Sequence, residues 1–162
     1  WSPLPLDALA VDDDAIYLVA DDVHDPGNLG TLARATDAAG GRALIILGGT
    51  DPAHPSAIRA SLGTMFLLPV HTAQSHDELF AWATGRCRTV ATSARAESEV
   101  WETDLRPPVA ILAGNEATGL DPATVARCDV TTRIPMLGTA TSLNVAVAAG
   151  VFLYEARRQA AR

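Results

Sequence analysis

The sequence predicts an α/β domain built on a parallel sheet flanked by helices, and three observations predict it. Short apolar runs at residues 15–20, 43–47 and 109–113 have the length and β-branched content of buried strands. Helical spacing alternates with them, as in the strand, loop, helix, strand unit spanning 15–47. Three strands end in loops dense in glycine and small polar residues, which is where open parallel sheets bind ligands.

Residues 1–14, with Pro3, Pro5 and the acidic Asp12, Asp13 and Asp14, read as a lead-in, and 15–162 as the domain proper. After the first strand, 21–30 is dense in turn formers and reads as a loop. A helix over 29–39 follows, with Leu29, Leu32, Ala33 and Thr36 as its inner stripe and Gly40 and Gly41 as its stop. Residues 43–47 are the second strand and 56–62 a short helix carrying Arg59 and Ser61. Residues 65–70 read as a strand that Pro69 confines to an edge or an end. A helix over 75–84 and a strand over 89–93 come next. Pro107 and Pro108 break the chain before the strand 109–113. Asp121 followed by Pro122 starts a short helix ending near Arg127. Residues 129–134 lead into the last unit, and about six strands result.

That last unit joins a loop to a long helix. Between Met136 and Asn144 the chain holds no acid, base or aromatic, so backbone amides and hydroxyls are what it offers a ligand. Thr141 or Ser142 is placed to cap the helix. From 144 to 159 the helix is apolar on nearly every side through Tyr154, which predicts burial on every side. One face packs on its own sheet. The other meets a second subunit, or the helix is simply central in a monomer.

Bulk properties exclude several classes. At 162 residues, 48% apolar and 19% charged, the chain is one globular domain with room for a core. No run reaches the ~18 to 20 apolar residues of a membrane span and no signal-peptide pattern opens the chain, so a cytoplasmic protein with no membrane partner is expected. Cys87 and Cys128 stand far apart without a histidine at ligand spacing, and no metal site is expected. The scattered His24, His54, His71 and His76 read as surface or loop residues. Dinucleotide, phosphate-loop and nucleophile-elbow motifs are absent. The formal charge of −7 and pI near 4.9 are unlike a domain that holds nucleic acid unaided. Trp1 in place of a methionine, followed by Ser2, Pro3, Leu4 and Pro5, reads as the middle of a longer protein or as a trimmed chain, with an N-terminal partner domain as one expectation.

The candidate site residues come from the three loops. Asn28, Asn115 and Asn144 place one amide in each. Glu116, between Gly114 and Gly119, is either a loop-closing acceptor or a site residue. Arg34 lies away from the apolar stripe, and helical side chains lean toward the N-terminus, so its guanidinium is aimed back over residues 28–30. It either holds an anion or hydroxyl there or is a surface arginine paired with Asp37 or Asp22.

Taken together the loops resemble the three motifs of the SpoU family of RNA ribose methyltransferases, in the SPOUT superfamily. The first is similar at Asp25, Pro26, Asn28, Gly30, Arg34, Ala38 and Gly40. The second is similar at Gly114, Asn115, Glu116, Gly119 and Leu120. The third runs from Ile134, Pro135 and Met136 through Gly138, Ser142, Leu143, Asn144, Val145 and Ala148 to Glu155, Arg158 and Gln159. The resemblance implies a parallel sheet whose C-terminal part is threaded as a trefoil knot, a homodimer, and S-adenosylmethionine held by Leu112, Gly114, Asn115, Ile134, Met136 and Leu143. It implies methyl transfer to a ribose 2′-hydroxyl of rRNA or tRNA, with Arg34, Asn28, Glu116, Ser142 and Asn144 around the acceptor. The alternative is a non-catalytic RNA-binding or regulatory homologue that keeps the fold. The sequence departs from the family pattern at Ala39, where an aromatic is common, and at Ala146, where a serine is.

Overall fold

A computed structural model describes residues 1–161, and its apolar runs form one all-parallel sheet of eight strands. These are β1 (Leu4–Pro5), β2 (Ile16–Asp21), β3 (Ala43–Leu47), β4 (Val70–Ala73), β5 (Arg88–Thr92), β6 (Ser98–Glu99), β7 (Val109–Ala113) and β8 (Val130–Arg133). Their spatial order is β1-β4-β3-β2-β7-β5-β8-β6. The central β2, β3 and β7 are buried at every residue, as continuous apolar runs covered on both faces must be.

Five helices cover the sheet: α1 (Pro26–Ala38), α2 (Pro55–Ala60), α3 (His76–Ala83), α4 (Pro122–Arg127) and α5 (Val145–Ala160). One face of the sheet packs Ile16, Leu18, Leu44 and Ile111 against Leu29, Leu32 and Ala33 of α1 and Phe152 and Leu153 of α5. The other packs Tyr17, Val19, Ile45 and Leu112 against Leu79, Phe80 and Trp82 of α3. The alternation of strand residues between faces thus sorts the core into two layers. Among the described residues no helix is long and apolar enough to cross a membrane.

Several sequence expectations change. Residues 26–28 are helical rather than loop: Asp25 caps α1 by accepting from the Asn28 amide at 2.7 Å, with Pro26 at the first helical position. The same Asp-Pro signal opens α4 at Asp121, whereas here neighbouring turn formers mask it in the sequence. Residues 64–66 form a 3-10 turn after left-handed Gly63, and β4 begins only at Val70, because Pro69 has no N–H for the ladder. Neither Thr141 nor Ser142 caps α5; Asn144 does, accepting from the amides of Ala146 and Val147. Eight strands replace the expected six because two-residue β1 and β6 extend the edges, too short for periodicity to show. The lead-in 1–14 joins the core: Leu6 is fully buried, and Trp82 donates its indole N–H to the Leu9 carbonyl.

α5 packs on α1 as well as on the sheet, and the two helices run side by side in the same direction. Asn144 meets Asn28 at their starts, and Tyr154 donates to the Ala38 carbonyl near their ends. Arg157 closes the end of α1 by donating from Nε to the Ala39 carbonyl and from its terminal nitrogen to that of Gly40. On its other side α1 packs against α2 through Gly30. A Cβ there would lie 2.3 Å from the Ala57 carbonyl oxygen and 2.7 Å from the Ser61 nitrogen. These are backbone atoms that cannot rotate away, so Gly30→Ala should destabilise the domain by about 1 to 3 kcal/mol in urea unfolding.

Candidate active site

Because every strand is parallel, all loops leaving strand C-termini open at one end of the sheet, and there the candidate residues converge. Glu116, just beyond β7, spans the gap to the start of α1. Its Oε1 accepts from the Asp25 amide at 3.0 Å and from Asn28 Nδ2 at 3.0 Å, and its Oε2 from the His24 amide at 3.2 Å. Asn28 Oδ1 accepts from Asn144 Nδ2 at 2.8 Å. Asn144 Oδ1 takes the free amides at the start of α5. The chain has a single polarity: a carboxylate that only accepts at one end and helix amides that only donate at the other fix how both side-chain amides point. Asn115 closes the same loop, donating to the Asp22 carbonyl at 3.1 Å while its Oδ1 accepts from the amides of Ala117 and Thr118.

Burial pushes the Glu116 carboxyl upward, but the hydrogen bonds from Asn28, Asp25 and His24 outweigh it and hold the group below the usual carboxylate value. A carboxylate at the first turn of α1 also meets the positive end of the helix dipole.

Beside this relay a cleft of about 980 Å³ opens between the ends of β5, β7 and β8. Gly114, Asn115, Glu116, Ile134, Met136, Ser142 and Leu143 all line it, together with Leu120 and Phe152. Its size and apolar wall suit a ligand with a flat aromatic part. Gly114 is required for its shape: a Cβ there would meet the Leu120 nitrogen at 2.4 Å. Leu112 is not in the wall; it is fully buried in β7, and its carbonyl accepts from Thr92 Oγ1 at 2.8 Å.

Arg34 projects from the exposed side of α1 and has no hydrogen bond or ion pair with any described residue. Asp22, one of its possible partners, bonds His24 instead at 2.8 Å. Ser142 is likewise exposed and without a hydrogen bond among the described residues. The structure therefore separates the five acceptor-side candidates: Asn28, Glu116 and Asn144 bond one another, while Arg34 and Ser142 keep their capacity for a ligand.

Sequence reasoning missed the third wall of the cleft. Residues 93–96 after β5, with Arg95, then Glu99 at the end of β6 and Arg133 at the end of β8 line it. The run after β5 carries no motif, and Arg133 stood unremarked before Ile134. Three histidines serve structure. His76 bonds buried Asp21 at 2.9 Å, His54 caps α2, and His71 lies 3.0 Å from the Pro5 carbonyl. Burial pushes both thiols, Cys87 and Cys128, up to about 12, which leaves them unreactive near neutral pH. A second hollow of about 990 Å³ lies at the opposite end of the sheet, and three of its four arginines are committed, Arg86 being the exception among the described residues. Arg88 and Arg106 pair with Asp104, and Arg127 pairs with Asp77 over the Phe80 ring.

Residues 15–154 match the SpoU rRNA Methylase family. The 23S rRNA (uridine(2479)-2′-O)-methyltransferase of Streptomyces viridochromogenes is 37% identical over 161 residues, covering 95% of this chain and 56% of that protein. The crystal structure of the SpoU methyltransferase AviRb from Streptomyces viridochromogenes in complex with AdoMet superposes with a TM-score of 0.88. It is 37% identical, covering 95% of this chain and 61% of that one. A crystal structure of an RNA 2′-O ribose methyltransferase superposes at 0.87 with 44% identity, covering 93% of this chain and 58% of that one. The chain spans 53% of one curated relative it matches and 66% of another.

The relay makes a pH prediction. A carboxyl whose folded-state pKa is lowered stabilises the fold fully above its ordinary value, about 4.3 for glutamate, and loses that contribution as pH falls through the lowered value. Glu116→Gln, which sets an amide donor against three donors, should cost about 1 kcal/mol at pH 7. Thermal unfolding should show that deficit shrinking between about pH 4.5 and pH 3.

Proposed function

The chain belongs to the SpoU rRNA methylase family, and from that premise we propose that it transfers a methyl group from S-adenosylmethionine to a ribose 2′-hydroxyl of rRNA or tRNA. One observation carries the proposal: Glu116, Asn28 and Asn144 bond in series and hold three strand-end loops around one cleft. The cleft fits the donor. Ile134, Met136, Leu143 and Phe152 would take the adenine, backbone around Gly114 would hold the ribose, and a buried Arg133 nitrogen stands without a partner beside them. Bound there, the sulfonium supplies an already activated methyl group, so the protein's task reduces to alignment and handling of the acceptor hydroxyl.

Arg34 has five donors free for that task. A guanidinium with a pKa above ~12 does not take up a proton at neutral pH, so its proposed role is to orient the acceptor through its hydroxyl or adjoining phosphate. Asn28, Glu116 and Asn144 act as positioning residues, and Ser142 offers a hydroxyl at the mouth. In a chain of formal charge −7, RNA capture is proposed to draw also on an RNA-binding domain besides this one. The path from β8 to α5, past residues 93–108 to which Gln159 is bonded through Thr103 and Leu105, is proposed to follow the trefoil threading.

A homodimer through α5 is part of the proposal. Val147 is 55% exposed and Tyr154 56%, seven residues apart on one outer face. Between them Gly150 sits mid-helix although a Cβ there meets nothing within 4 Å. Such a glycine costs about 1 kcal/mol relative to alanine, which a second helix approaching closely would explain. Sedimentation should find a dimer, and Val147→Glu should shift it to monomer.

Calorimetry with S-adenosylmethionine, followed by labelled methyl transfer to rRNA and tRNA, tests the activity. Binding with transfer is expected. Arg34→Ala should keep donor affinity while slowing transfer by about 100-fold. Donor binding without any transfer would instead favour the non-catalytic homologue, and a folded protein that binds no donor would sink the proposal.

A further inference from the structure

The cleft has one polar end, and its residues are paired in an unusual way. Arg133 and Glu99 are the last residues of adjacent parallel strands and lie directly opposite in register. Both side chains line the cleft and are roughly a third exposed. Their contact is loose: an Arg133 terminal nitrogen lies 3.5 Å from Glu99 Oε1, at the limit of a hydrogen bond. The Nε of Arg133 is buried and has no hydrogen-bond partner among the described residues. A buried donor left unpaired is destabilising, so its retention beside a ligand-sized cleft points to a group that satisfies it.

The charges in the wall narrow what that group is. Four charged residues line the cleft: Arg95, Glu99, Glu116 and Arg133. Glu116 is fully engaged in the relay. Arg95 stands apart on the loop after β5, without a side-chain partner among the described residues, and adds a further positive charge to the wall, while Arg133 and Glu99 are an adjacent guanidinium and carboxylate with spare capacity. A phosphate or RNA backbone is repelled by Glu99. A ligand end with one carboxylate and one ammonium a bond or two apart matches the pair charge for charge, and the Nε edge of arginine presents the planar fork that a carboxylate accepts in bidentate fashion.

We infer that Arg133 and Glu99 form a subsite for the zwitterionic amino-acid end of the donor, with Arg133 holding the carboxylate and Glu99 the ammonium. This rests on the donor reading above and adds to it the residues that distinguish the full donor from its nucleoside part.

Calorimetry on the whole chain with two probes tests it: S-adenosylhomocysteine, which has the amino-acid end, and 5′-methylthioadenosine, which lacks it. Arg133→Met and Glu99→Gln should each weaken S-adenosylhomocysteine by about tenfold or more and leave 5′-methylthioadenosine within about twofold. Arg133→Lys should recover part of the loss. Equal weakening of both probes, or no weakening of either, overturns the inference. Should Arg133→Met fail to fold, Glu99→Gln decides alone, since it lies at the sheet edge. A wild type that binds neither probe overturns the donor reading itself, and this inference with it.

Discussion

The arrangement of the loops at the C-terminal end of the sheet depends on a two-step hydrogen-bond chain, Glu116 to Asn28 to Asn144. Its members come from positions 88 and 116 residues apart, and each also fixes backbone at its own end. Glu116 takes the amides of His24 and Asp25 before α1, and Asn144 takes those that open α5. The starts of two helices and the loop after β7 are thereby one unit. The far ends of the same two helices are tied by Tyr154 and Arg157 to the carbonyls of residues 38–40. α1 and α5 are therefore held at both ends as parallel neighbours, and a shift of either would break contacts at two places.

This arrangement explains how an acidic chain with few titratable groups in its cleft offers a specific site. The wall after β8 contributes backbone and apolar side chains, which discriminate by shape. Charge enters at four residues, with Glu116 fixed by its partners, Arg133 and Glu99 loosely paired, and Arg95 on the loop after β5. Arg34, on the outer side of α1 and without a partner among the described residues, is carried by the helix that the relay anchors.

How much of this was legible in the sequence varied with the physics of each element. The strands at 16–21, 43–47 and 109–113 were readable because both faces are buried and the apolar runs are continuous. The inner stripe of α1 was readable by its spacing, and so was the outward direction of Arg34. The two edge strands were not, because two residues carry no period. The 3-10 turn at 64–66 read as a strand because Met65 is apolar and buried while its backbone obeys Gly63 and Pro69. In the site, Asn28, Glu116 and Asn144 were marked as candidates by residue type and loop position. Their direct bonding was invisible, since sequence separation says nothing of contact across 88 or 116 residues. Glu99 and Arg133 were passed over because their meeting depends on β6, which no pattern announces.

The central claim is that the three loops act as one cooperative unit through Asn28, and a double-mutant cycle addresses it most directly. Glu116→Ala and Asn144→Ala remove groups that do not bond each other but share Asn28, so their effects on unfolding free energy should be coupled by about 0.5 kcal/mol or more. Strict additivity of the two substitutions would contradict the account, because it would mean that the loops are held independently and the relay is only a coincidence of proximity.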